Sequence, residues 1–320
     1  MTFPDLTFPD LTFPDLTFPD LTLLPDLTIR QMAYLVAVVD EATWAAAADR
    51  VGVSPSALSQ GLAELERRLG VALFESHGRR RVLRRSALPV LDHARRVLAL
   101  TRDLVEWSDR MRGGRQGRIR LGMIDVAVVV HFPGVVAAFR AERPDVRLTM
   151  SVAPSAELLA GLRDGELDLV VCVKPPEPLA GIDVEAVRRE PLVVMAPTGT
   201  TIGPPSSWGP WLTFPSHSQT RKLIVGALAE LGSPTTIAAE SHQPDVLVQM
   251  VRLGLGWTVL PMTVDQVGLG SGDGVHVVVS PELAQVVIGP QLVERVLVLA
   301  RRTESISDPA VDELARRLRA

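Results

Sequence analysis

The sequence predicts an α+β protein of several domains: an all-α N-terminal unit with a wing, one long linker helix, and an α/β region after it. Three observations predict this. Residues 42–74 read as helix, tight turn and second helix. Residues 86–113 carry one unbroken apolar period of three and four. From Arg118 onward, short apolar strand patterns alternate with helical ones.

The motif is the most informative stretch. A first helix spans Ile29–Val39. The next is small and Ala-rich from Ala45 to Ala48, so another helix can cross close to it, and Gly52 breaks it. Ser54 offers an oxygen to cap the following helix, and Pro55 sits where a first-turn proline is tolerated. That helix turns Ala57, Leu58, Leu62 and Leu65 inward. Its other face shows Ser56, Ser59 and Gln60 near the N-terminal end, where a helix-turn-helix meets base edges in a major groove. Beyond it, Val71–Phe74 and Val82–Leu83 flank a turn at Ser76–Arg79. This reads as a β-hairpin wing carrying Arg79, Arg80 and Arg81.

Charge supports the motif by its distribution. The whole chain of 320 residues is at −4. Residues 1–27 hold five Asp and no base, whereas residues 28–117 hold fifteen Arg against ten acids. Between 67 and 85 there are seven Arg and only Glu75. A charge run alone reads as a solvated face; beside a helix-turn-helix it reads as a phosphate contact surface.

Residues 2–21 are four copies of Thr-Phe-Pro-Asp-Leu, with a decayed fifth copy to Leu27. A proline every five residues removes amide donors and forbids a regular helix. An extended or disordered arm is expected over 1–27. The competing pentapeptide-repeat solenoid would need small inward residues where this chain has Pro.

In the 86–113 helix Val90, His93, Val97, Leu100, Leu104, Trp107 and Met111 form a heptad seam. The bland reading is a helix packed on its own domain; a seam between two domains favours a dimerisation helix. Gly113, Gly114 and Gly117 end it in a hinge. Strands are expected at 119–124, 146–152, 167–173, 192–196, 212–214, 236–240, 257–260 and 296–300. Helices are expected at 133–142, 156–164, 219–231, 244–253 and 309–318.

Residues 28–117 resemble the N-terminal domain of LysR-type transcriptional regulators. The resemblance is carried by Arg30-Gln31, Ala47-Ala48-Asp49-Arg50, Val53-Ser54 with Ala57-Leu58-Ser59, and Leu65-Glu66. It continues through Leu69-Gly70-Val71, Leu73-Phe74-Glu75 and Arg79-Arg80-Arg81. It implies a winged helix-turn-helix over 28–85, a linker and dimerisation helix with hinge over 86–117, and an effector-binding domain over 118–320. That domain would be periplasmic-binding-protein-like (type 2), with subdomain I at 118–190 and 296–320 and subdomain II at 191–295. The implied function is sequence-specific regulation of transcription, with double-stranded DNA and a small effector of unknown identity as partners and a homodimer or homotetramer as the assembly.

Carried over by position, the implied DNA contacts are Thr43, Ser54, Pro55, Ser56, Ser59, Gln60, Arg79, Arg80 and Arg81. Dimerisation would fall to Val90, Val97, Leu100, Leu104 and Trp107. Effector contacts would be Asp125, Val126, Ser155, Ser218 and Thr220. The chain departs from the family in places. Pro55-Ser56 stands where Gln-Pro or Gln-Ser is common, and Gln60 where Arg or Lys is common. Gln60 suits adenine where Arg prefers guanine. Ala45 and Ala46 replace a hydroxyl and a base, leaving more of the affinity to the wing. Asp125 replaces hydroxyls. It reads first as a helix cap, and if it faces the cleft it disfavours carboxylate effectors and favours neutral or cationic ones.

No catalytic constellation is read. The six His have no metal-ligand spacing, and no Gly-x-Ser-x-Gly elbow occurs. An enzyme, a metal site and a cofactor are therefore not expected. The single cysteine, Cys172, lies in an apolar run and reads as a buried small hydrophobe. With no run of eighteen apolar residues and no secretory pattern, a cytoplasmic protein without a membrane partner is expected. The competing function is an α/β small-molecule binder or enzyme whose helical domain serves only association; a weaker one is a regulator that has lost its effector.

Overall fold

The computed structural model describes residues 26–77, 80–112, 117–261, 286–306 and 308–320. The repeat arm up to residue 25, Arg79 and the Gly113-Gly114 pair lie outside the described residues. Two compact units are present, one reaching to Ala94 and one starting at Arg95.

The first unit holds α1 (Ile29–Asp40), α2 (Trp44–Arg50), α3 (Pro55–Leu69), and a hairpin of β1 (Phe74–His77) and β2 (Arg80–Leu83). Thr28 caps α1 in a reciprocal capping box with Gln31, which the Thr-x-x-Gln spacing encodes. Leu58, Leu62 and Leu65 of α3 are buried, as are Leu35 of α1 and the small Ala47 and Ala48 of α2, and α3 packs on both helices. The close crossing also depends on Gly61, where a Cβ would lie 2.6 Å from the Tyr34 ring. The wing strands start later than the apolar run suggests, at Phe74 rather than Val71. Glu66 explains this: its Oε1 accepts from the amides of Leu73 and Phe74 at 2.8 and 3.1 Å and holds the chain at the hairpin's entrance.

The linker helix is α4 (Leu88–Met111). From Arg95 on, one of its faces belongs to the second unit. Ala99 is buried, and a Cβ on Gly165 (φ 69°) would come within 2.8 Å of it. Asp103 takes a bidentate bond from Arg302 at 2.9 and 3.0 Å, and Glu106 pairs with Arg120 at 3.3 Å. The seam face differs: Leu104, Trp107 and Met111 stay exposed.

Among the described residues, the second unit is built on an eight-stranded sheet, in the order β4-β3-β5-β10-β6-β9-β7-β8. Its strands are β3 (Arg118–Met123), β4 (Arg147–Val152), β5 (Leu169–Val173), β6 (Ile182–Pro197), β7 (Trp211–Thr213), β8 (Ile237–Glu240), β9 (Trp257–Pro261) and β10 (Val286–Arg302). Its helices are α5 (Pro133–Glu142), α6 (Ser155–Arg163), α7 (Gln219–Glu230), α8 (Pro244–Arg252) and α9 (Pro309–Arg319). Strands β4, β3 and β5 are parallel, as are β8, β7 and β9. The long antiparallel pair β6–β10 splices the two groups.

Two hydrophobic cores follow. One is built on β3, β5, α5, α6 and α9, and the other on β7, β9, α7 and α8 around Trp208, Trp211 and Trp257. Strand β6 leaves Ile182 in the first core and Leu192–Ala196 in the second, while β10 returns Leu297–Ala300 to the first. Both strands are longer than their apolar stretches suggest, because 183–191 and 289–295 carry charges and a Gly-Pro step. A π-helical turn at Ala127–His131 precedes α5, in a β-branched run that no helical period marks.

Candidate functional site

Helix α3 presents its N-terminal end to solvent. Pro55, Ser56 and Gln60 are exposed and Ser59 is half-buried, above the buried Leu58 and Leu62. Ser54 is the N-cap and accepts from the Ala57 amide at 3.2 Å, with its Oγ 3.0 Å from that of Ser56. Thr43 caps α2 in the same way, from Ala46 at 3.1 Å. Both hydroxyl oxygens are thus engaged locally, and Thr43 keeps its proton to donate outward, whereas either Ser54 or Ser56 donates in the bond between them.

On the wing, His77 pairs with Arg80, of whose side chain nothing is described. Arg81 is not a free cation. Its guanidinium lies 5.3 Å from the Trp44 ring centre and 5.7 Å from that of Phe74, and those two rings meet edge to face. It also comes within 3.8 Å of Glu66. This brace to α2 and α3 was not legible as such: the three arginines look equivalent in sequence.

A second concave site lies in the C-terminal unit, with a cavity of about 260 Å³. Asp125, Ser155, Ser218 and Thr220, far apart in sequence, all line it. The strand-to-helix turns bring them together, since α6 starts at Ser155 and α7 at Gln219. Val126 is the exception. It is buried in the first core and absent from the wall, because the turn after Asp125 points it inward. Its amide donates to Asp125 Oδ1 at 2.8 Å, a bond to the next residue only; no side-chain cap closes this helix start, and Asp125 stands on the cavity wall. Ser155 Oγ accepts from the Val173 amide at 3.2 Å.

The cavity floor was missed in the sequence. Arg295, 4% exposed, lines it and donates from Nη1 to Thr220 Oγ1 at 3.0 Å. Its Nε donates to Glu190, which also meets His131 Nε2. Burial pushes the Glu190 carboxyl up, but the hydrogen bond from His131 and the Arg295 charge outweigh burial and hold it below the usual range. Asp125 goes the other way. Burial raises its carboxyl, with Asp245 and Glu190 adding, against the Val126 amide and Arg295. His217 and His242, their ring centres 5.3 Å apart, also line the cavity. The one signal for the floor was an arginine inside the apolar run of β10.

Comparison with known proteins is decisive for this pairing of units. Residues 29–86 match the bacterial regulatory helix-turn-helix proteins of the lysR family, and residues 112–320 match the LysR substrate binding domain. The chain belongs to the LysR family. It is a LysR-type DNA-binding transcriptional regulator with an effector-binding domain. Among LysR-type relatives, the HTH-type transcriptional regulator YfeR of Shigella flexneri is 25% identical, over 90% of this chain and 92% of that one. IlvR of Caulobacter vibrioides is 26% identical over 73% and 82%. A full-length variant of OxyR from Pseudomonas aeruginosa shares the fold with a TM-score of 0.60 at 23% identity, over 92% and 95%. The LysR family regulator CbnR does so at 0.55 and 19%, over 92% and 98%.

Proposed function

We propose that this LysR-type regulator binds a two-fold symmetric DNA site as a homodimer or homotetramer and that a small molecule in the 260 Å³ cavity changes its grip. The observation that carries the reading is α3, whose core-facing leucines are buried while Ser56 and Gln60 stand exposed at its N-terminal end. A helix anchored in this way can enter a major groove. The arginines of 79–81 would hold phosphates, with Arg81 also bracing the wing.

On this reading residues 28–85 read DNA, 86–117 dimerise and 118–320 sense the effector. The exposed Leu104 and Trp107, with Val90, Val97 and Leu100 half-buried, supply the dimer seam. Among the described residues no helix is long and apolar enough to cross a membrane, and we read the protein as a cytoplasmic, non-catalytic regulator. One relative over about half of this chain is a probable hydrogen peroxide-inducible genes activator of Mycobacterium avium. A thiol switch is not supported here. Cys172 is fully buried, and burial pushes its thiol up to about 12, so it lacks the thiolate that oxidation requires.

Footprinting on the DNA flanking the protein's own gene tests the proposal. The expected result is a protected region with dyad symmetry; protection without sequence preference would contradict it.

A further inference from the structure

The polar groups around the cavity divide by sign, and this deepens the effector reading above, on which it rests. Asp125 stands on one wall, and Asp245, in the first turn of α8, is close enough to act on it electrostatically. The α7 end of the cavity is the opposite. Ser218, Gln219 and Thr220 line it, the first turn holds no acid, and Ser218 makes no capping bond into the helix. The first amides of α7 therefore keep the positive end of the helix unmatched. The buried Arg295 stands behind Thr220 on the same side. Ile124, Val152, Val173 and Phe214 line the space with apolar surface.

We propose that the effector is a small zwitterionic amino compound with an apolar side chain, of the α-amino-acid class. Its ammonium sits on Asp125 and its carboxylate on the N-terminal turn of α7 with Ser218 and Thr220. A simple anion fits less well, because Glu190 already matches Arg295 and the anion would face Asp125, beside which Asp245 adds negative potential. A simple cation leaves the α7 terminus unmatched and stands near Arg295. Burial raises the Asp125 carboxyl against the Val126 amide and the Arg295 charge, and an ammonium in contact would stabilise its ionised form. Asp125 follows a strand of the first core and Asp245, outside the cavity lining, opens a helix of the second, so an ammonium on Asp125 also offsets the repulsion between these two carboxylates.

The test uses the full-length protein and calorimetric titration with matched triplets: L-leucine, 4-methylpentanoate and 3-methylbutylamine, and the corresponding sets for valine, methionine and phenylalanine. At least one amino acid is expected to bind, with its deaminated acid and decarboxylated amine each weaker by about tenfold or more, the equivalent of one lost charge contact of about 1.4 kcal/mol. Asp125→Asn should bring the amino acid down to the level of the acid, and Asp245→Asn should weaken it less. An acid or an amine that binds as tightly as the zwitterion overturns the proposal, and so does a panel in which nothing binds. Either failure leaves the footprint intact, whereas loss of the footprint would count against the regulator reading whatever binds in the cavity.

Discussion

Glu190 and Arg295 are register partners on β6 and β10 and also bond side chain to side chain, 2% and 4% exposed, at the point where both strands pass from one core to the other. The pair ties His131, ahead of α5, to Thr220 on α7. A buried pair of this kind contributes little net stability, but losing one member leaves an unmatched buried charge. Arg295→Met should therefore cost about 3–5 kcal/mol in urea unfolding. Combining it with Glu190→Gln should recover a good part of that loss. A single variant as stable as the parent would show that the pair is not desolvated.

Asp125 gives a pH signature of the opposite sign. Its carboxyl is raised in the folded state. Such a group costs stability wherever it is ionised in both states, and the cost disappears below the unfolded value of about 3.9. Asp125→Asn should raise the melting temperature at pH 7, and its advantage should shrink toward pH 4. A variant that melts lower at pH 7 would place Asp125 in a stabilising cap alone.

The wing arginines should separate by salt dependence. Arg81 rests on Trp44 and Phe74, whereas a phosphate contact releases counterions. Replacing Arg79 and Arg80 with Ala should flatten the slope of affinity against salt on any duplex. Arg81→Ala should lower affinity with a smaller change of slope, and should speed hydrogen exchange in β1 and β2. The lost cation–π contact is worth about 0.5–1 kcal/mol at this half-exposed site. Equal slope changes for all three would assign Arg81 to phosphate.

Helix α4 offers two faces to mutation. Leu100→Glu with Leu104→Glu alters the seam and leaves Ala99 and Asp103 in place. Light scattering should show loss of the dimer, while circular dichroism shows the effector unit still folded. A double variant that stays dimeric would remove the seam from the assembly.

The elements were legible wherever apolar periodicity governs. The buried stripe of α3, the capping Ser54 and the parallel strands all follow from spacing and short-range chemistry. The ends of β6 and β10 were not, since Arg188, Arg189, Glu190 and Pro290 carry no strand pattern, and pairing with each other makes them strands. Asp125, Ser155, Ser218 and Thr220 were found as starts of helices near one cleft. Arg295, Glu190 and His131 were not, because a buried ionic network depends on long-range register. Val126 was misplaced because one residue at a turn decides between wall and core. The brace on Arg81 is invisible in a run of three identical residues.

The most direct test of the central claim, that α3 reads bases, is a binding matrix of Gln60→Ala against single-base variants of the footprinted site. Gln60 is exposed near the N-terminal end of α3, and if that end meets bases, removing it should cost about 1–3 kcal/mol at one base pair and leave non-specific affinity nearly unchanged. An even loss across all variants would show that Gln60 touches only the backbone, and would contradict base reading by α3.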